Sequence, residues 1–194
     1  MWVLPISAQS IFLTPRAGLN LSTITQTGGS LKSGLNFGLS GEYLHSSRIG
    51  IEVGMNYSMQ GSRFKFADVS PEHNYLNMPV LFKYYVKELE TVEGGGSKGL
   101  SVFAGPQLDL KVLVNKVGYT AGKFNTLLTD DMTQPLGTSF VIGSEYLFDN
   151  GLAVSINLNF GLTNKVKKSY ADNTAGSYRD FVAQFKFGYR FSIN

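Results

Sequence analysis

Residues 49–60 read IGIEVGMNYSMQ. Ile49, Ile51, Val53, Met55, Tyr57 and Met59 are large and apolar, whereas Gly50, Glu52, Gly54, Asn56, Ser58 and Gln60 between them are small or polar. Successive side chains of a strand point to opposite faces, so this segment has one greasy face and one wet face. A soluble protein turns the greasy face toward its core. A membrane barrel turns it toward lipid. The fold class rests on which of the two holds here.

The same rhythm recurs along the chain. In 12–22, Leu13, Pro15, Ala17, Leu19 and Leu21 alternate with polar or small residues; in 35–44, Leu35, Phe37, Leu39 and Tyr43 do so. In 75–86 the apolar phase is Leu76, Met78, Val80, Phe82 and Tyr84; in 100–112 it includes Leu100, Val102, Leu108 and Leu110. Segments 137–147, 152–163 and 178–191 repeat the pattern. With 49–60 these make eight candidate strands of 10 to 14 residues. A tilted membrane strand needs about 9–11 residues, and the usual soluble strand has about 5–6.

The connections alternate too. HSSR (45–48) and DNG (149–151) read as tight hairpins, whereas 23–34, 61–74, 113–136 and 164–177 are long and polar. Short turns on one side and long loops on the other is the layout of an outer-membrane barrel. KELETVEGGGSKG (87–99) falls on the short side yet is long, and reads as a flexible turn.

The totals exclude several classes. Charged residues are 16% of the 194, against about 25% in soluble domains. No apolar run is long enough for a transmembrane helix, a criterion to which barrels are blind. The absence of cysteine excludes disulfides and thiolate metal sites. The net charge of +3 is scattered, without the basic stripe that a nucleic acid requires. MWVLPISAQS resembles the tail of a secretory signal, with cleavage expected after Ala8. Residues 1–9 therefore read as a signal remnant or N-terminal arm, and 10–194 as one barrel domain.

Volume decides the facing. An eight-stranded barrel is only just wide enough for side chains to fill. Five or six large apolar residues per strand would overfill it, whereas the Gly, Ser, Asn, Gln and Thr of the other phase fit. The reading is therefore all-β: an eight-stranded antiparallel up-and-down transmembrane barrel. Tyr43, Tyr84, Tyr146 and Tyr189 fall near the short-turn ends; Tyr57, Phe140, Phe160 and Phe181 fall near the long-loop ends. Two such belts are expected at the two membrane interfaces. The closing KFGYRFSI (186–193), with Gly188, Phe191 and Ile193, resembles the sorting signal read by the barrel-insertion machinery.

YLNMPVLFKYY (75–85), VFAGPQL (102–108) and NGLAVSINLNFGLTN (150–164) resemble the PorT-like outer-membrane β-barrel domain family, from about residue 10 onward. Its marks are the proline of the fourth strand and the AGP of the fifth. The resemblance implies an outer-membrane barrel of a Gram-negative bacterium and assigns no activity. The family's founding member serves a protein-secretion pathway, a role that a shared barrel does not transfer.

Arg16, Lys83, Lys111, Lys186 and Arg190 share the inward phase with Glu42, Glu52, Asp109 and Glu145. Counting from the strand ends places Glu42, Glu52, Lys83, Glu145 and Arg190 toward the periplasmic half, with Arg16 just above. Isolated charges in a narrow lumen are costly, so pairing into a cluster that plugs the barrel is expected, with an ion path as the competing reading. Ser70, Glu72 and His73 are too close in sequence for a nucleophile and its base, and His45 lies in a short turn; no enzyme is expected. Asp130 and Asp131 with Glu72 have no spacing that demands calcium, so neither metal nor cofactor is expected. KVKK (165–168) suits lipopolysaccharide phosphates, and RFKF (63–66) and YTAGKFNTLL (119–128) put aromatics into loops that can bind partners. The functional expectation is a structural barrel or accessory subunit of an outer-membrane, including secretion, complex. It would contact lipid, lipopolysaccharide and another outer-membrane or periplasmic protein. A small porin-like pore stands second and a soluble lipocalin-like binder third.

Overall fold

The computed structural model describes residues 10–24, 31–61, 72–87, 89–92, 96–115, 134–164 and 179–193. Its strands are β1 (Ser10–Ile24), β2 (Lys32–Leu44), β3 (Ile49–Gly61), β4 (Glu72–Tyr85), β5 (Glu90–Val92), β6 (Gly96–Asn115), β7 (Leu136–Leu147), β8 (Leu152–Gly161), β9 (Asp180–Tyr189) and β10 (Phe191–Ile193). The sheet runs β1-β2-β3-β4-β6-β7-β8-β9, and β9 and β10 pair back onto β1. Every neighbouring pair is antiparallel. With β9 and β10 counted as one interrupted strand, this is a closed eight-stranded up-and-down barrel.

The opening stretch is inside out. Val53 and Met55 are 54% and 55% exposed, whereas Glu52 and Ser58 beside them are 3% and 0% exposed. The inversion holds all round the wall. Leu19, Phe37, Phe82, Ile142, Ile156 and Phe187 face outward, while Asn20, Asn36, Asn77, Ser139, Asn157 and Gln184 are buried inside. The buried apolar core is small, a cluster of Leu81, Phe103 and Val141.

Two expectations about connections meet different outcomes. DNG is the tight turn its sequence specifies: Gly151 has φ +86°, and the Phe148 N–H donates to Leu152 O at 2.8 Å. The 87–99 segment is not a flexible turn in its described part. Glu90, Thr91 and Val92 of β5 pair with Lys98, Ser97 and Gly96, which extends β6 to 20 residues. The Leu89 N–H donates to Ser47 O at 2.9 Å and the Tyr85 N–H to Arg48 O at 2.8 Å, tying this hairpin to the HSSR turn.

Prolines explain the interruptions. The last strand breaks at Arg190, although Arg16↔Gly188 and Leu13↔Phe191 keep one register across the gap. Pro15 falls opposite the break and has no N–H to contribute to the ladder. The Arg190 N–H goes instead to Gly151 O at 2.8 Å. Pro79 and Pro106 both lie along the β4–β6 seam, where a Cβ on Gly105 would meet Val80 O at 2.0 Å. Glycine at 105 is what lets the two backbones approach there.

Candidate functional site: an ion network across the lumen

Six charged side chains meet inside the barrel, drawn from β1, β2, β3, β4, β7 and the β9–β10 break. Lys83 is central. Its Nζ donates to Glu42 Oε2 at 3.0 Å, Glu52 Oε2 at 3.0 Å and Glu145 Oε1 at 2.6 Å. An ammonium has three protons, and here each has its own carboxylate.

Arg16 adds a second layer. Its Nη1 pairs with Glu52 Oε1 and donates to Ser40 Oγ at 2.8 Å, while Nη2 donates to Glu52 Oε2 at 3.0 Å and to Glu145 Oε2 at 2.5 Å. The two-pronged grip on Glu52 uses the planar fork that only arginine offers. Arg190 closes the lower edge. Its Nη2 lies 2.8 Å from Glu42 Oε2, an ion pair off the line of a hydrogen bond, and its Nη1 donates to Tyr85 Oη at 3.0 Å. Tyr85 Oη donates onward to Glu42 Oε1 at 2.6 Å. The Arg190 guanidinium rests 3.8 Å from the centroid of the Phe12 ring, a cation–π arrangement.

Three carboxylates and three cations cancel. Glu42, Glu52 and Glu145 place oxygens close enough together to hold a metal ion, but the Lys83 ammonium stands among them on all three. The network thus carries its own counter-ion.

Three residues expected in this cluster do not join it. Asp109 lies six residues beyond Phe103, the partner of Lys83, which is roughly 20 Å along the tilted strand β6. There it accepts hydrogen bonds from Asn77 Nδ2 at 2.5 Å and Gln107 Nε2 at 2.7 Å. Lys111 is further along the same strand and only half buried. Lys186 is buried beside the network, paired in register with Gly18 and Ser155, but its Nζ has no ion pair or hydrogen bond among the described residues. Conversely, Tyr85, Phe12 and Ser40 were not anticipated. Tyr85 and Phe12 are in phase with Lys83 and Thr14, so extending the alternation one step at each strand end finds them.

The aromatic residues sort by height as their positions require. Tyr43, Tyr84, Tyr146 and Tyr189 sit beside the short turns, with Tyr43 opposite Ile51 and Tyr189 opposite Leu152. Tyr57 lies against Phe37 (centroids 5.2 Å apart), and Phe160 joins Phe140 to Phe181 across three strands. Phe191 and Ile193 point outward, while a Cβ on Gly188 would lie 2.7 Å from Arg16 Cγ. Glycine at 188 therefore leaves Arg16 room to reach the network. His45 lies in the HSSR turn with its ring 6.5 Å from that of Tyr43. Ser70, Asp130, Asp131, KVKK, RFKF and YTAGKFNTLL lie outside the described residues, as do the side chains of Glu72 and His73.

A closed eight-stranded wall, apolar outside and polar within, defines an outer-membrane β-barrel. A family model described as outer membrane protein beta-barrel domain matches residues 7–166, and the chain belongs to that family. It is a protein of the bacterial outer membrane. No curated protein matches it. Among solved structures it is similar to OprG from Pseudomonas aeruginosa (12% identity, TM-score 0.49, covering 94% of this chain and 96% of that one). It is likewise similar to Ail of Yersinia pestis, solved with the heparin analogue sucrose octasulfate (12%, 0.47, 93% and 99%). A third similar structure is the outer membrane enzyme PagL (14%, 0.43, 94% and 99%).

Proposed function

We propose that this is a non-catalytic outer-membrane barrel whose lumen is plugged, and which works through its outer surfaces as a structural protein or accessory subunit. The observation that carries the reading is the Lys83 ammonium held by three carboxylates and flanked by two arginines. A solvated ion crossing the barrel would have to break several charge-assisted hydrogen bonds at once. The aromatic sets at the two strand ends support contact with the two headgroup layers. Phe191 and Ile193 support a role for the last strand in recognition by the insertion machinery. A lumen closed by its own charges leaves the outer wall and the loops as the surfaces through which a partner in an outer-membrane, including secretion, complex would be met.

The test is conductance. The purified barrel in a planar bilayer should give no stable current steps, and a variant with Lys83→Ala and Arg16→Ala should admit ions. Stable channels in the unaltered protein would replace this reading with the porin-like one. Co-purification in mild detergent tests the accessory role: a stoichiometric partner supports it.

A further inference from the structure

Well above the network, toward the long-loop end of the barrel, lies a recess of about 20 Å³. That is room for one water molecule or one ion. Its wall includes Asp109, Asp180, Asn159, Gln60, Gln107 and Thr163. Asp109 brings a carboxylate whose Oδ1 already accepts from Asn77 Nδ2 and Gln107 Nε2, Asp180 brings a second carboxylate, and Thr163 brings a hydroxyl that also accepts from the Thr138 N–H at 3.0 Å. The glutamines contribute oxygen as well. Gln60 Nε2 is engaged by Ser58 Oγ at 2.9 Å, and Gln107 Nε2 by Asp109 Oδ1 at 2.7 Å and Ser139 Oγ at 3.0 Å. With their nitrogens committed, what these amides have left to offer is their carbonyls.

Asn159 is the anomaly. It is 3% exposed and lines the recess, yet neither Oδ1 nor Nδ2 has a hydrogen-bond partner among the described residues. A buried amide without partners is destabilising, so a native barrel has a reason to hold one there.

We propose that this recess binds a single hard divalent cation of the calcium class. The wall presents oxygens of the kinds calcium takes: carboxylate, amide carbonyl and hydroxyl. Asn159 Oδ1 would complete the set, and Nδ2 would donate to an ion-bound water or a carboxylate. The backbone around the recess is compatible with this use. A Cβ on Gly161 would meet the Asp180 backbone nitrogen at 2.9 Å, so glycine there lets Asp180 sit close. The sequence offers no sign of such a site, because its ligands come from β3, β6, β8, β9 and, for Thr163, the residues just after β8.

The experiment is calorimetric titration of calcium chloride into the full chain, refolded from denaturant in detergent and freed of metal with chelator. One saturable equivalent is expected. Asp180→Asn, isosteric and at the rim, should weaken it about tenfold or more, and Asn159→Asp should tighten it, because affinity follows the charge of the ligand set. Asp149→Asn, in the exposed turn at the opposite end, should leave it unchanged. Folding of each variant is checked by heat-modified electrophoretic mobility. No saturable heat in the folded protein, or heat that both recess variants leave unaltered, would overturn the proposal.

Discussion

At the scale of single residues, Lys83 and Lys186 form a natural experiment. Both are buried inside the barrel, at 2% and 5% exposure, but one holds three carboxylates and the other holds none. Lys83→Met leaves Glu42, Glu52 and Glu145 facing one another without the ammonium, and should destabilise the barrel by about 3–5 kcal/mol. Lys186→Met removes a buried charge that has no ion pair among the described residues, and should be neutral or stabilising. Urea unfolding in lipid vesicles, followed by tyrosine fluorescence, compares the two; equal losses would refute the assignment of Lys83 as the centre. The inward phase of each of these residues is legible in the sequence, since it follows from a two-residue period. Their heights follow as well from counting residues back from the strand ends, which sets Glu42, Glu52, Lys83, Glu145 and Arg190 toward the short turns with Arg16 just above, and Asp109 misses the network because it stands higher. Which atoms pair is not legible, because that depends on the register between strands.

At the scale of elements, the wall tolerates side chains unevenly. A Cβ on Gly105 would come within 2.0 Å of Val80 O, whereas one on Gly41 meets nothing within 4 Å. Gly105→Ala should therefore cost about 1–3 kcal/mol by overpacking, while Gly41→Ala should be silent. The folded fraction at graded urea, read as the heat-modified band on a gel, distinguishes them. Strand existence and facing were readable from alternation, and so was the DNG turn. The β5–β6 hairpin was not. Its glycines (GGG, 94–96) signal a turn, but whether the flanks pair depends on partners such as Ser47 and Arg48, supplied from another connection.

At the scale of the whole molecule, the inside-out pattern has a direct test. Val53→Arg places a charge on the outward face of β3 midway along the strand, and should cost about 2–4 kcal/mol in a bilayer. In a soluble protein an arginine at an exposed position costs almost nothing, so reversible folding in lipid vesicles separates the two architectures. The facing is legible in the sequence, because the lumen of eight strands has no room for the bulky phase. The break of the last strand is not, because Pro15 acts on it from the opposite end of the chain.

That break lies at the seam where the ends of the chain meet, and it is where Arg190 enters the ion network. Arg16 on β1 reaches Glu145 on β7, 129 positions later, and Arg190 reaches Glu42 from the far terminus. Neither reach is possible while the sheet is an open ribbon. Locking the charges and closing the ring are therefore one event. The network acts as a latch that engages only when first and last strands have met in the correct offset. A ring closed two residues out of step would set Arg16 level with Gly143 or Leu147 in place of Glu145, and Arg190 level with Ser40 or Leu44 in place of Glu42, and the carboxylates left bare would make that closure costly.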